Sequence, residues 1–152
     1  MQHQTQLVAQ VNKIIQTNLD RRAGYEKARK EVRDPQLQNL FDECASQSNR
    51  YVSELEPVVT QFGGTPVTDT STTSDMYRAW MDVKSALASN NAKAVLQSCE
   101  KGEDIALSAY REITNQQQET AFDPGIHQML RQQHAGIESM HEKIKSLRDQ
   151  QA

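Results

Sequence analysis

The sequence predicts an all-α protein built on four long helices, and three observations carry that expectation. Apolar residues recur at alternating steps of three and four through most of the chain, which is the period of a helix with one buried face. Aromatic residues make up only 5% of the chain, while Ala, Gln, Leu and Glu recur, and these residue types favour helix over sheet. Only one stretch between the long periodic segments reads as a true linker, GGTPVTDTSTTS from Gly63 to Ser74. A chain of 152 residues can bury one continuous core, so a single domain over residues 1–152 is expected.

The first helix, α1, is expected from Gln4 to Arg33. Its stripe is Val8, Val11, Ile15, Asn18, Arg22, Tyr25, Arg29 and Val32. The second half of that stripe holds Asn18, Arg22 and Arg29 where Leu would be ordinary. The arginines are read as laying their stems along the edge of the core with their heads in water. The other reading is a buried polar layer, whose members would each need a partner. Asp34-Pro35 then ends α1 and opens α2, since Asp caps helices well and Pro suits the first helical position. The stripe of α2 is Leu37, Leu40, Phe41, Cys44, Ser48, Tyr51, Leu55, Val58, Val59 and Phe62, with Pro57 inside it as an expected kink. Gly63-Gly64 supplies the stop.

After the linker a short helix, α3, is expected from Asp75 to Ala88. Met76, Tyr77, Trp80, Val83 and Leu87 line one of its faces, and it is read as a brace anchored by Trp80, the chain's only Trp. Ser89-Asn90-Asn91 breaks that helix and caps α4, expected from Ala92 to Gln116. Val95, Leu96, Cys99, Glu103, Ala106, Tyr110 and Ile113 share one sector of α4. A polar turn at about 119–125 contains Asp123-Pro124-Gly125. The last helix, α5, follows to about Gln150, with Ile126, Met129, Leu130, Gln133, Ile137, Met140, Ile144 and Leu147 as its stripe.

Two of the three connections between long helices are tight, which makes their neighbours antiparallel. The connection from α2 to α4 is long enough to return along the molecule. The expectation is therefore a four-helix bundle in up-down-down-up order, with α3 inside one long crossover, which is the ferritin-like topology. A short internal repeat agrees with it. Tyr25 and Tyr110 stand seven residues after Asn18 and Glu103, and Ala45–Tyr51 (ASQSNRY) aligns with Ala135–His141 (AGIESMH).

The order of the segments GYEKARKEVRDPQLQNLF, WMDVKSAL and CEKGEDIALSAYREI resembles a bacterial domain family of unknown function within the ferritin-like superfamily. The resemblance spans roughly Gln6 to Arg148. It implies the bundle and supplies no activity. Ferritin-like di-metal proteins place one Glu on each of two helices and a Glu-x-x-His on each of the other two, because hard carboxylates and imidazoles together hold two cations. The resemblance puts Asn18 at the first Glu, Ser48 and Tyr51 at the first Glu-x-x-His, Glu103 at the second Glu, and Glu138 and His141 at the second pair. Half the ligand set is missing. No metal cofactor is expected, and Asn18, Ser48, Tyr51 and Glu103, with Arg22 as a further candidate, are read as a polar core layer. The alternative is a half-site of Glu103, Glu138 and His141 holding iron, manganese or zinc. Helical phasing turns Glu138 away from the apolar face of α5 and so towards water. His127, His134 and His141 recur every seven residues on the flank of α5, as a solvated or interface edge or as a pH-sensitive contact.

A formal charge of -3 gives no nucleic-acid footprint. The mean hydropathy of -0.77, with no apolar run long enough to span a bilayer, gives no membrane segment. The amino-terminal MQHQTQLVAQ lacks the basic start and apolar run of a signal peptide, so a cytoplasmic location is expected. Cys44 and Cys99 have no metal-binding or redox spacing and fall on apolar faces, which reads as buried reduced thiols. No nucleophile–base set or phosphate-binding loop is present. The expected function is non-enzymatic, acting through contacts with a protein partner, as a homo-oligomer of which a dimer is the simplest. The alternative is a metal-binding protein or metal-dependent oxidoreductase using the half-site.

Overall fold

The structure is a computed structural model and describes residues 2–116 and 124–151. Among these residues the fold is all-α, with α1 at Gln2–Glu31, α2 at Pro35–Gln61, α3 at Asp75–Ala88, α4 at Ala92–Gln116 and α5 at Pro124–Asp149. The ends are set by local chemistry. Asp34 precedes a proline and is held extended, and its carboxylate accepts the Gln36 N–H at 2.9 Å. Gly63 takes φ +85°, a conformation that suits a residue without Cβ, as the chain leaves α2. Ser74 caps α3 by accepting the Tyr77 N–H at 3.0 Å, and Asn91 caps α4 by accepting the Ala94 N–H at 3.1 Å. Two of the boundaries that differ from expectation have a local cause. α1 stops at Glu31 rather than Arg33, because the chain must straighten before Pro35. Pro124 opens α5 instead of sitting in the turn, since a first helical position needs no N–H. The rest of the expected turn, 117–123, lies outside the described residues.

Side-chain pairs fix the sense of neighbouring helices. Asn18 meets Ser48 while Arg29, three turns on, meets the earlier Asp42, so α1 and α2 are antiparallel. Lys13 meets Glu112, Asn18 meets Tyr110 and Arg21 meets Glu103, so α1 and α4 are also antiparallel. α5 opposes α4 in the same way, through Tyr110–Gln133, Asp104–His141 and Glu100–Arg148.

The apolar interior falls into two clusters. One gathers Val11, Ile14 and Ile15 with Leu55, Val59, Ala106, Tyr110, Leu130 and Ile137. The other gathers Tyr25, Ala28, Phe41, Cys44, Leu96, Cys99 and Ile144. On α1, α2 and α4 the residues between them are Arg21, Ser48 and Glu103, all buried. Trp80 of α3 packs against both clusters and meets the Tyr25 ring edge-on at 4.5 Å. The Trp80 indole also lies against Gly24: a Cβ there would stand 2.1 Å from two of its carbons, so α3 can dock only where α1 is bare.

The linker is fastened to α1 by three polar residues spaced one turn apart. Asn12 donates to the Thr65 carbonyl at 3.0 Å and accepts the Val67 N–H at 3.0 Å. Gln16 donates to the Asp69 carbonyl at 2.8 Å. Asp20 accepts the Ser71 N–H at 2.7 Å and the Ser74 hydroxyl at 2.9 Å, and so holds the residue that caps α3. Asp20→Ala removes both acceptors from a buried position. It is expected to lower stability by about 1–2 kcal/mol and to raise proteolysis within the linker, read by urea unfolding and limited digestion.

Candidate functional site: a polar layer across four helices

Burying polar groups between two apolar clusters is unfavourable unless they satisfy one another. Here they form one continuous chain of hydrogen bonds that touches α1, α2, α4 and α5. The Tyr25 hydroxyl and the Arg21 Nε both donate to Glu103 Oε1, the latter at 3.0 Å. Arg21 Nη1 donates to Ser48 Oγ at 2.7 Å and to the Cys44 carbonyl at 3.3 Å. Ser48 donates to Asn18 Oδ1 at 2.9 Å, and Asn18 Nδ2 donates to the Tyr110 hydroxyl at 2.9 Å. Tyr110 donates to Gln133 Oε1 at 2.7 Å, and Gln133 Nε2 donates to Glu54 at 2.9 Å, where the chain reaches the exposed surface of α2. Arg21 and Glu103 are each only 1% exposed, so this is a fully desolvated ion pair. Glu103 Oε2 and Arg21 Nη2 have no partner.

The electrostatics follow from burial. Desolvation opposes the Arg21 charge, but the adjacent Glu103 carboxylate more than compensates and leaves the guanidinium harder to deprotonate than usual. Burial, reinforced by Glu103, pushes the Tyr25 hydroxyl well up. Burial and then Glu103 push the Cys44 thiol up to about 12, and burial with Cys44 raises Cys99 as well. Both thiols are buried and unbridged. Raised acid pKa values in the folded state stabilise the protonated forms. Their contribution is fully present below the ordinary thiol value of 9.0 and is lost as pH rises from there towards about 12. Urea midpoints are therefore expected to hold up to about pH 9 and to fall above it. Thiol reagents at neutral pH are expected to label the native protein far more slowly than the unfolded chain.

The residues singled out by sequence are distributed as follows. Asn18, Ser48 and Glu103 lie in the hydrogen-bonded layer. Tyr51 is buried but outside that chain: its hydroxyl would stand 2.0 Å from a Cβ on Gly136 of α5, and Arg50 lies over its ring. Arg22 is half-buried and donates to Asn49 at 2.8 Å, so the arginine of the layer is Arg21 instead. Glu138 is exposed. His141 Nε2 faces Asp104 at 2.8 Å and Glu100 at 3.8 Å rather than Glu103. His134 packs edge-on near the Tyr110 ring, and burial lowers its pKa. Glu103, Glu138 and His141 do not form a ligand group, and among the described residues no three His, Cys, Asp or Glu side chains are placed to hold a metal ion. No described helix is long and apolar enough to cross a membrane.

Sequence reasoning missed Arg21, and a signal for it exists. Leu7, Ile14, Arg21 and Ala28 repeat every seven residues, and all are buried. They interleave with Val11, Asn18, Tyr25 and Val32, so the buried face of α1 is this double seam. The expected stripe took Val8, Arg22 and Arg29 on its other flank, and these are half-buried.

The fold and the layer together define a class: an all-helical protein whose long helices are joined at mid-height by a buried ion pair and its hydrogen bonds. The chain belongs to the family described as Domain of unknown function (DUF2383), whose model matches residues 6–116. That match takes in α1 to α4 and stops short of α5. A search of curated proteins found no match.

Proposed function

We propose that the protein is a ferritin-like four-helix bundle in which an internal ion pair stands where a di-metal centre would be, and that it acts through protein contacts, not as an enzyme. The observation that carries this reading is the Arg21 guanidinium on Glu103, both out of water. A di-metal site surrounds cations with carboxylates and imidazoles. In this chain a permanent side-chain cation already neutralises the carboxylate, and its neighbours are a hydroxyl, an amide and a phenol. The donor set does not fit a metal centre. The half-site reading, with iron, manganese or zinc on Glu103, Glu138 and His141, has no observation in its favour.

The up-down-down-up order is supported by the pairings above, in which α1 opposes both α2 and α4 while α5 opposes α4. The internal repeat gains support from a reciprocal contact. Tyr25 of α1 bonds the α4 residue at the ligand position, Glu103, and Tyr110 of α4 bonds the α1 residue at the ligand position, Asn18. A cytoplasmic location accords with two unbridged cysteines. The assembly we propose is a homo-oligomer, with a dimer as its smallest form.

The test is metal analysis of protein purified without chelator or histidine tag, with melting of wild type and Glu103→Gln in the presence and absence of iron, manganese and zinc. The expected result is substoichiometric metal and no metal-dependent rise in Tm for either protein. Stoichiometric metal, with a rise in Tm that Glu103→Gln lacks, would overturn the reading, because binding would then be linked to folding through that carboxylate. Light scattering tests the assembly, and a monomer at every concentration would remove the oligomer from the proposal.

A further inference from the structure

Away from the polar layer, a groove of about 540 Å3 opens between α1 and α3 and is lipped by residues of the linker. That volume falls within the range of about 300–1,000 Å3 typical of small-ligand sites. Its floor includes Gly24, and its wall is Trp80 together with Met81, the one large hydrophobic side chain that is exposed among the described residues. The charge on the rim shows what the groove lacks. The rim carries Lys27 and Lys30 from α1 and Lys84 from α3, and none of the three forms an ion pair with a described residue. Of the acids lining the groove, Asp20 is taken up by Ser71 and Ser74, which leaves Glu31 alone against three ammonium groups.

We propose that this groove is a binding site for a small aromatic carboxylate. The ring lies along Trp80 and Met81, and the carboxylate is held by Lys27, Lys30 and Lys84. The site goes beyond the bundle reading and shares no residue with the polar layer. Apolar area supplies the affinity, and the lysines select an anion over its neutral analogue.

Because Trp80 is the only tryptophan, its indole N–H gives a single, unambiguous 1H–15N cross-peak from the groove wall. The full-length 15N-labelled protein is titrated with 1-naphthoate and, separately, with neutral 1-naphthamide. The expected result is a saturable shift of the Trp80 peak, with naphthoate bound more tightly than the amide. Lys27→Gln/Lys30→Gln/Lys84→Gln is expected to weaken naphthoate about tenfold and to abolish its advantage over the amide. Raising salt from about 0.05 M to about 0.5 M on the unmodified protein is expected to weaken naphthoate and leave the amide unchanged, a second test that needs no variant. Three outcomes overturn the proposal: a Trp80 peak that does not move or does not saturate, equal affinity for acid and amide, or naphthoate binding that is indifferent to salt.

Discussion

Arg21→Met is expected to destabilise the protein by about 3–5 kcal/mol, the range for removing one member of a buried ion pair. The substitution keeps much of the stem volume but leaves Glu103 in an apolar interior with only the Tyr25 hydroxyl for company. It also strips Ser48 Oγ of its donor at 2.7 Å and the Cys44 carbonyl of its own. Glu103→Leu is expected to cost a similar amount for the mirror reason, since the guanidinium then has no counter-charge. The double variant Arg21→Met/Glu103→Leu is expected to recover most of the loss, because two apolar side chains of similar volume replace two desolvated charges. Urea unfolding of the four proteins gives the cycle directly. Single variants that each cost less than about 1 kcal/mol, the range of solvated surface pairs, would show that the pair is not desolvated.

Gly24→Ala is the second large effect, at about 1–3 kcal/mol or somewhat more. Alanine is ordinarily the better helix residue by about 1 kcal/mol, so a loss here runs against propensity and isolates the packing. The new methyl would stand 2.1 Å from two carbons of the Trp80 indole and 2.4 Å from a third. The indole cannot simply swing aside, because its ring also sits edge-on against Tyr25, itself locked to Glu103. α3 must lift from α1. The expected signature is a lower melting temperature with a red-shifted Trp80 emission, while Gly63→Ala, in open space, is expected to leave that emission unchanged. An unshifted emission in Gly24→Ala would mean that α3 does not dock through this contact.

α2, α3 and α4 are legible in the sequence because each is written twice, once in its apolar period and once in its caps, whereas α1 and α5 are read from their period. Asp34-Pro35, Gly63, Ser74 and Asn91 all act where the residue type says they should. The layer is only half legible. Asn18, Ser48 and Glu103 stand out as polar residues on apolar stripes. Arg21 does not, because an arginine on a helix flank is ordinarily solvated and the two flanks of the α1 stripe differ only by a rotation. Choosing the side that carries Arg22 and Arg29 hides the heptad seam through Leu7, Ile14 and Ala28. The fastening of the linker by Asn12, Gln16 and Asp20 is illegible for another reason. Those side chains bond mainly to backbone groups, and backbone groups carry no sequence signature.

The ion pair at mid-height also works as an index mark for helix register. Aliphatic seams are forgiving: α4 slid along α1 by one turn would still set apolar side chains against apolar side chains. The same slide would bring Cys99 or Leu107 to Arg21 in place of Glu103, leaving both charges buried without partners. A single polar position of this kind fixes alignment at a cost in stability. The charge-free double variant, though it regains its stability, is left with the buried Asn18–Tyr110 hydrogen bond to tell the correct alignment of α1 and α4 from its neighbours.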